Sequence, residues 1–470
     1  MKTKIEQAEI VVVWDAATRS HRYSKNQDIL FDEQCIIGIE PDISAAADLT
    51  IDGRGRLVIP GLINIHCHPS IQPLYRGFTE EFGNPRLFNS GRDPFRQQFV
   101  ISEEAQQASA QFALAELISG GVTTIVDLSH AYSNWLSILA TSGIRACVAP
   151  MYRSARWYAE SGHETLYEWD IAKGALDFEE AKLIMEDADR HPSGRLFSMV
   201  APAQVDTCTE ELLRASAQYA KDTKRRLHVH ASQSYAEFQG MVRRNDKTPI
   251  EWLHSLGFLS ERTIIGHAVF SDEHPWLHWS RRNDLHLLEQ TGTSIAHCPT
   301  PFARDGTLLH DIGRYHRQNI RIGIGTDTHP HNLLEEMRWA EILGRVAAGT
   351  QHTYSTEKLF RAVTSDAAEM LGRTDIGRLE QGVQADLVVI DLSHPSMVPV
   401  GDPIRSLIYS GADRPIEHVF IQGKLVCRDH QVTTIDRMEA SRQIAHAQSE
   451  ILSAVQEPHK LTPPTFPYKA

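Results

Sequence analysis

The stretch PGLINIHCHPSIQPLYRGF, at residues 60–78, places two histidines one residue apart directly after an apolar run. A short apolar run that follows a turn is typical of a buried β-strand. Because residues i and i+2 of a strand point to the same side, His66 and His68 can face one metal ion together. The stretch therefore predicts a buried strand whose last residues carry chemistry, and the rest of the chain has to supply the partners.

A pattern of strand followed by helix repeats along the middle of the chain. Seven further segments have the composition of buried strands, and most of them precede a helical segment: VTTIVDLSH, IRACVAPMYRS, RLFSMVAPAQ, RRLHVHASQS, RTIIGHAVFS, TSIAHCPTP and IRIGIGTDTHPH. With the strand that ends at His66 they make eight β/α units. This count predicts an α/β fold in the form of a (β/α)8, or TIM, barrel.

The two ends of the chain have a different pattern, in which short β segments are separated by turn residues. We expect the segments from both ends to pair into one small β-sandwich domain. A C-terminal helix should follow this domain, and after the helix an irregular, proline-rich tail. The predicted boundaries are residues 1–59 with 376–434 for the composite β-sandwich, 60–375 for the barrel, and 435–470 for the helix and tail.

Composition narrows the class of protein. The net charge of −13 is spread along the chain, which argues against nucleic acid and anionic membranes as partners. No apolar run approaches the ~20 residues of a membrane span, and the first residues lack the pattern of a signal peptide. Six scattered cysteines without a CxxC pair are typical of free thiols in a reducing compartment. We therefore predict a soluble, cytoplasmic protein that acts on a small molecule.

The ends of the predicted strands are rich in metal-ligand residues. The fifth to eighth strands end in His228 and His230, in His267, in His297 and in Asp327, respectively. One histidine in such a place is usually only a polar residue at the barrel mouth, but barrel enzymes keep their chemistry at this face. A catalytic divalent ion takes about three or four nitrogen and oxygen ligands. His66 and His68, one histidine of the fifth strand and Asp327 would supply them.

Five of these motifs closely resemble those of the amidohydrolase superfamily: VIPGLINIHCH, HVHASQS, IIGHAVF, IAHCPT and GIGTD. The segment GRLEQGVQADLVVIDL also resembles the family's C-terminal β-sandwich segment, so that the resemblance covers residues 8–430. The resemblance implies a metal site formed by His66, His68, His230 and Asp327. It also implies that His267 contacts the hydrolytic water or the substrate. Members with two metals carry a bridging lysine or glutamate on the fourth strand, and RLFSMVAPAQVD has neither, which implies a mononuclear site.

The resemblance implies a reaction as well. A divalent ion lowers the pKa of a bound water towards ~7. Asp327 can take the proton of this water and pass it to the leaving nitrogen, while His267 stabilises the developing oxyanion. We predict one divalent ion per subunit, with Zn2+ as the default and Co2+, Fe2+ or Mn2+ as alternatives, since mixed histidine and aspartate ligation suits all four. By analogy with the family, the chain should form a homodimer or a larger homo-oligomer.

One position departs from the family pattern. Deaminases of purines, pterins and related rings usually carry a glutamate three residues after the strand-five ligand, where it protonates a ring nitrogen. That position is Gln233 here, and an amide cannot transfer a proton. Glu237 lies four residues further on and is a poor substitute. The departure favours hydrolysis of a C–N bond at a true carbonyl, as in an amide, a carbamate, a thiocarbamate or an N-substituted urea such as a phenylurea.

The superfamily branch that the chain then most resembles contains the phenylurea and molinate hydrolases, near the triazine hydrolases. The nearest alternative is an aminohydrolase (deaminase) or chlorohydrolase of a nitrogen heterocycle such as an s-triazine or a purine. A remote alternative is a non-catalytic scaffold protein of the same fold. Such scaffolds lose metal ligands, whereas this chain keeps every ligand expected of a mononuclear site.

Loops that follow the barrel strands should line the substrate pocket. Their aromatic residues suit a neutral aryl or alkyl substrate, and an arginine near a barrel mouth needs a partner. The predicted substrate contacts are Arg76, Tyr152, Arg153, His228, Gln233, Phe302, Arg304 and His329.

Overall fold

The computed structural model describes residues 1–79, 99–158, 165–351, 354–455 and 465. The strands are β1 (Thr3–Asp15), β2 (Ser20–Phe31), β3 (Ile36–Glu40), β4 (Leu49–Asp52), β5 (Arg56–Pro60), β6 (Leu62–Cys67), β7 (Val122–Ser129), β8 (Arg145–Tyr152), β9 (Ala155–Tyr158), β10 (Leu166–Trp169), β11 (Leu196–Ser198), β12 (Ala201–Pro202), β13 (Leu227–Ala231), β14 (Thr263–His267), β15 (Ser294–His297), β16 (Ile322–Ile324), β17 (Leu387–Asp391), β18 (Ile416–Ile421), β19 (Lys424–Arg428) and β20 (Gln431–Val432). The α-helices are Glu103–Ser119, Trp135–Ser142, Ile171–Asp189, Glu210–Asp222, Tyr235–Asn245, Pro249–Ser255, Asp284–Thr291, Pro299–Arg304, Ile312–Arg317, Leu333–Ala348, Thr356–Ala362, Ser365–Met370, Pro403–Ser410 and Arg437–Ala454.

The predicted barrel strands are present and run parallel. One half of the barrel pairs β6, β7, β8 and β11, with β12 continuing the fourth strand, and the other half pairs β13 to β16. Short bridges join the two halves, from Val200 to Leu227 and from Gln204 to His230 on one side and from Cys67 to Asp327 on the other. The closed ring confirms the predicted fold class, and its last bridge sets Asp327 beside the strand end that carries His66 and His68.

The β-rich ends of the chain form a second unit. Strands from both ends join one nine-stranded sheet in the order β20-β19-β18-β17-β5-β1-β2-β3, and β4 pairs with β1. Side chains alternate across this sheet, as the period of a strand requires. Val58 and Val389 pack with the core of the β-rich unit, whereas Leu57 and Val388 pack against the barrel helices. The sheet therefore has an inner core of its own and a second face that covers the barrel.

A buried ion pair fixes the junction between the two units. Arg145, at the start of β8, donates from Nε to Asp386 Oδ2 at 2.8 Å and from Nη2 to Asp386 Oδ1 at 3.1 Å. Both side chains are 1% exposed. The same carboxylate accepts from the backbone N–H of Gln422 at 2.7 Å. A carboxylate with this number of charge-assisted bonds ties the barrel to β17 and β18.

Removal of one partner of this pair should destabilise the fold. Asp386→Ala leaves the Arg145 guanidinium buried without its counter-ion, and we expect a loss of about 3–5 kcal/mol in the free energy of unfolding, measured by urea denaturation. Glu210→Ala is the control, because its ion pair with Arg214 is exposed. The double change Arg145→Met with Asp386→Leu should recover most of the loss. An Asp386→Ala protein as stable as the Glu210→Ala control would show that the pair does not hold the junction.

The predicted C-terminal helix, Arg437–Ala454, holds the loop that follows the first barrel strand. Its apolar side chains pack with Leu74 and Tyr75 of this loop. Gln448 Nε2 donates to the backbone oxygens of Leu74 and Arg76, both at 2.9 Å. Most of the predicted irregular tail lies outside the described residues. Among the helices that the structure describes, none has the length and apolarity to cross a membrane.

Candidate metal centre and substrate pocket

Four side chains meet at the C-terminal end of the barrel. The Nε2 atom of His230 lies 3.2 Å from that of His66 and 3.3 Å from that of His68. Asp327 Oδ1 lies 3.4 Å from His66 Nε2 and 3.2 Å from His68 Nε2. Ligands that surround one ion tetrahedrally at ~2.1 Å stand about 3.4 Å from each other. The four predicted ligand atoms therefore have the spacing that a single divalent cation requires.

The Nδ1 atoms of two of the ligand histidines are fixed by hydrogen bonds to the backbone. His68 Nδ1 lies 2.6 Å from the backbone oxygen of Leu128, and His230 Nδ1 lies 2.6 Å from that of Ala203. A backbone oxygen only accepts, so each Nδ1 carries the proton and each Nε2 presents its lone pair to the centre. The residues fit a divalent cation, because both the ligand type and the ring orientation are those of a catalytic metal site.

The backbone at this site departs from the usual conformations. His267 has φ of 83° and Asp327 has φ of 57°, both in the left-handed region that non-glycine residues rarely adopt. Such a conformation costs about 1–3 kcal/mol and persists only where the surrounding structure enforces it. His267 is the last residue of β14 and Asp327 lies three residues beyond the end of β16, so this backbone conformation occurs where both side chains turn towards the ligand cluster.

The charges around Asp327 keep it ionised. Burial acts to raise the pKa of this carboxyl, but the neighbouring His267 and then His68 outweigh burial, and the pKa falls to about 2. Burial lowers the pKa of His66 and of His267 well below the ordinary value, whereas for His68 the hydrogen bond with Asp327 and the charge of that carboxylate outweigh burial and raise the pKa. The cluster thus pairs an ionised carboxylate with histidines, and a cation bound by these residues would have to displace the proton that Asp327 favours on His68.

His267 lies beside the ligand cluster. Its ring centroid is 4.7 Å from that of His66 and 5.2 Å from that of His230. On its other side it packs against Phe302, with centroids 4.7 Å apart in an edge-to-face arrangement. The ring borders the pocket above the cluster. His267 is therefore held where it can contact a molecule bound at the centre.

The pocket above the cluster has a volume of about 170 Å³. Four of the predicted substrate contacts line it: Arg153, Gln233, Arg304 and His329. Arg304 Nη2 donates to the backbone oxygen of His329 at 2.6 Å, and His329 Nδ1 lies 2.9 Å from the backbone oxygen of Gln72. These bonds join the loops that follow the first, seventh and eighth strands into one wall.

Tyr152 and Arg76 do not line this pocket, contrary to prediction. Tyr152 points to the same side of β8 as Val148, which packs under the helices. Its hydroxyl therefore lies on the outer side of the barrel, where it forms a hydrogen bond of 2.7 Å with Ser216 Oγ. The next residue, Arg153, points to the other side of the strand and reaches the pocket. Arg76 instead donates to both carboxylate oxygens of Glu116, at 3.0 and 2.9 Å.

Phe302 and His228 also lie behind the pocket wall rather than in it. Phe302 is buried against His267 and belongs to an apolar cluster with Phe238 and Phe270. His228 points to the barrel interior like His230, but one layer deeper, where its Nε2 lies 3.1 Å from His66 Nδ1. The alternation of a strand predicts the side to which a residue points but not its depth, which is why His228 was misplaced.

Glu237 cannot replace a glutamate at position 233. Its carboxylate accepts from the backbone N–H of Ser232 at 2.6 Å and of Gln233 at 3.1 Å. It does not line the pocket, and its role is to hold the loop that carries Gln233. The Gln233 side chain borders the pocket, and its amide nitrogen has no hydrogen-bond partner among the described residues.

Two further residues line the pocket: Gln204, which was not predicted to do so, and Trp157, which follows the third strand in a segment that was expected to line it. Gln204 follows the fourth strand and forms a backbone bridge with His230. Its side chain points to the inner side of the barrel and lines the pocket. Trp157, on the β9–β10 hairpin, also lines it. Trp157 Nε1 and Tyr167 Oη both donate to Asp206 Oδ2 at 2.8 Å, so that one buried carboxylate fixes both strands of the hairpin. The hairpin has no apolar repeat that marks it in the sequence.

The chain is similar to known proteins over most of its length. The model of the amidohydrolase family matches residues 57–426. A 5-methylthioadenosine/S-adenosylhomocysteine deaminase of Natronomonas pharaonis is 27% identical over 433 residues, which are 91% of this chain and 95% of the relative. A 5′-deoxyadenosine deaminase of Methanosphaera stadtmanae is 27% identical over 421 residues, covering 88% and 93% of the two chains.

Solved structures share the fold. An adenosine deaminase from Xanthomonas campestris with bound zinc superposes with a TM-score of 0.82 at 21% identity, over 96% of this chain and 98% of that one. An atrazine chlorohydrolase from Arthrobacter aurescens complexed with zinc gives 0.80 at 24% identity, over 96% and 100%. At this identity the likeness supports the architecture alone.

Proposed function

Because this chain belongs to the amidohydrolase family and is a hydrolase of carbon–nitrogen bonds, we propose that it is a metal-dependent aminohydrolase of a nitrogen heterocycle. In this reaction water replaces an exocyclic amino group of a purine nucleoside, such as an adenosine derivative, and ammonia leaves. The observation that carries the proposal is the alignment, over about nine-tenths of both chains, with relatives that are named as deaminases of adenosine derivatives.

This proposal corrects the prediction from sequence. Hydrolysis of a urea, carbamate or amide, and placement in the phenylurea hydrolase branch, were both wrong, because the relatives are named deaminases. The preference for a carbonyl substrate rested on Gln233, and the choice of branch rested also on the mononuclear pattern and on general similarity. Loss of one proton donor changes the way in which a ring nitrogen is activated, but the chain is still similar to named deaminases over about nine-tenths of its length.

The site residues have defined parts in this reaction. A divalent cation held by His66, His68, His230 and Asp327 would supply Lewis acidity and lower the pKa of a coordinated water towards ~7. Asp327, ionised and at the pocket floor, accepts the proton of the attacking water and returns a proton to the departing nitrogen. His267 donates a hydrogen bond to the oxygen of the attacking water and orients it towards the ring carbon.

Gln233 lies at the position whose side chain is expected to face a ring nitrogen of the substrate. Its carboxamide can donate an N–H bond to a ring nitrogen but cannot transfer a proton. We propose that this bond orients the heterocycle and polarises it, and that Asp327 is the sole proton carrier of the described site. Such an enzyme activates the ring less strongly than one with a carboxylic acid at this position.

A substrate panel tests the proposed function. Metal-replete enzyme is incubated with 5′-deoxyadenosine, 5′-methylthioadenosine, S-adenosylhomocysteine, a chloro-s-triazine and an N-aryl urea, and the products are identified by mass and by an ammonia assay. We expect ammonia together with the matching inosine derivative from at least one adenosine compound. Release of aniline from the urea, or of chloride from the triazine, without ammonia from any adenosine compound would contradict the proposal.

Three finer features stay predictions. The ion is zinc, with one per subunit; the chain forms a homo-oligomer; and it acts in the cytoplasm on a small molecule. All six cysteines are free, which suits a reducing compartment. Elemental analysis of protein purified without added metal, and light scattering of the same sample, test the first two.

A further inference from the structure

One of the three ligand histidines is held differently from the other two. His68 and His230 each place Nδ1 against a backbone oxygen, at 2.6 Å. His66 instead places Nδ1 3.1 Å from the Nε2 atom of His228, a side chain with 0% exposure that takes no part in the ligand cluster. The orientation of this ligand thus depends on a second imidazole.

The two rings restrict each other's tautomers. The Nε2 atom of His66 faces His230 and Asp327, so it presents its lone pair to the centre. A neutral imidazole carries one N–H group, which for His66 must then be at Nδ1. Nδ1 therefore donates to His228 Nε2, and His228 must carry its own proton at Nδ1. A backbone oxygen enforces such a choice by itself, whereas His228 enforces it only in this one tautomer.

Packing keeps the two rings in contact. Their centroids are 4.8 Å apart. Gly266 lies opposite them on β14, and a Cβ atom there would stand 3.0 Å from Cε1 of His66 and 3.0 Å from Cε1 of His228. The backbone N–H of His228 also donates to the oxygen of Val200 at 2.9 Å. The space for the second imidazole is built into the barrel interior.

We infer that His228 is a positioning residue, whose Nε2 accepts the His66 Nδ1–H and so fixes the ring and the tautomer with which His66 binds the metal ion. The inference rests on the metal-dependent function proposed above. It adds that the affinity for the metal depends on a residue that touches neither the ion nor the substrate. Loss of such a hydrogen bond to a ligand histidine typically weakens metal binding by 10–100-fold.

Direct metal titration tests the inference without substrate. The apo-proteins of the wild type, His228→Phe and His228→Gln are titrated with Zn2+ in competition with a chromophoric chelator. We expect His228→Phe to weaken binding by about 10–100-fold. His228→Gln keeps an amide oxygen that can accept from His66, and its affinity should stay close to that of the wild type. His297→Phe is the matched control, since His297 is also a buried histidine of a barrel strand that lies outside the ligand cluster.

Two results would overturn the inference: His228→Phe with the affinity of the wild type, or His297→Phe with the same loss. A wild-type protein that binds no divalent ion would instead overturn the proposed function. A measurement on the unaltered protein covers the case in which His228→Phe does not fold. Neutron diffraction from zinc-loaded, deuterated crystals should show deuterium on Nδ1 of His66 and on Nδ1 of His228, and deuterium on His228 Nε2 would refute the hydrogen bond.

Discussion

Asp327→Asn should lower the turnover number of the metal-replete enzyme by about 10²–10⁴-fold, the usual contribution of general acid–base catalysis. The carboxylate contacts His66 and His68 through Oδ1, and an asparagine oxygen can still occupy that place. The amide cannot accept a proton from water or deliver one to a leaving nitrogen. Steady-state kinetics on the adenosine derivative that the enzyme deaminates, with metal content measured on the same samples, give the comparison.

The metal content decides how this result is interpreted. We expect Asp327→Asn to bind the ion more weakly than the wild type but to be saturable with added metal. Asp222→Asn is the control, because this side chain is exposed at the end of the helix Glu210–Asp222, where it accepts from Gln218. If saturated Asp327→Asn turns over at a rate near that of the wild type, Asp327 is not the proton carrier and the proposed route for the proton is wrong.

Gln233→Glu should raise the deamination rate by about 10²-fold. A carboxylic acid at this position can protonate the ring nitrogen, an assistance that general acids supply at 10²–10⁴-fold. The side chain already borders the pocket, and Glu237 holds the backbone of its loop, so the new carboxyl group would enter a prepared position. The measurement is kcat and KM for the deaminated substrate as a function of pH.

Two further variants show whether the gain belongs to the position. Gln204→Glu places the same new carboxyl group elsewhere on the pocket wall and should give no gain. Gln233→Leu removes the hydrogen bond and should raise KM. Equal effects of the two glutamate variants, or a fall in deamination with Gln233→Glu at unchanged metal content, would show that position 233 does not face the ring nitrogen.

The metal centre could be predicted because it depends on rules that a sequence displays. His66 and His68 share one side of a strand, and parallel barrel strands bring His230 and Asp327 to the same end. The structure brings these four residues together with the spacing of a metal site. Their role as ligands stays a prediction until metal binding is measured.

The pocket was harder to predict. Its walls depend on the side of a strand to which each residue points, on the depth of that residue in the barrel, and on how the loops pack. Tyr152 ends a strand with the parity of the outer side, and His228 has the correct parity but lies one layer too deep. Trp157 reaches the pocket only because Asp206 fixes a hairpin from another part of the chain. No local pattern in the sequence records these long-range contacts.

Hydrolysis of a carbon–nitrogen bond was predicted correctly, but the substrate class was predicted wrongly, for a different reason. The amide of Gln233 in place of a proton donor is evidence about one step of the reaction. The prediction used it to assign the substrate class. The names of the relatives that align with about nine-tenths of the chain favour the aminohydrolase alternative instead. A single residue of a site is better evidence for the mechanism of one step than for the identity of the substrate.

Turnover of an adenosine derivative in water enriched in 18O tests the proposed aminohydrolase most directly. Metal-replete enzyme should release ammonia and an inosine derivative in equal amounts, with 18O at the ring carbon that lost nitrogen. Release of free adenine would mean that the glycosidic bond is cleaved instead. No turnover of any adenosine derivative, together with 18O in a carbamate formed from an aryl urea, would contradict the proposed function and restore the carbonyl chemistry.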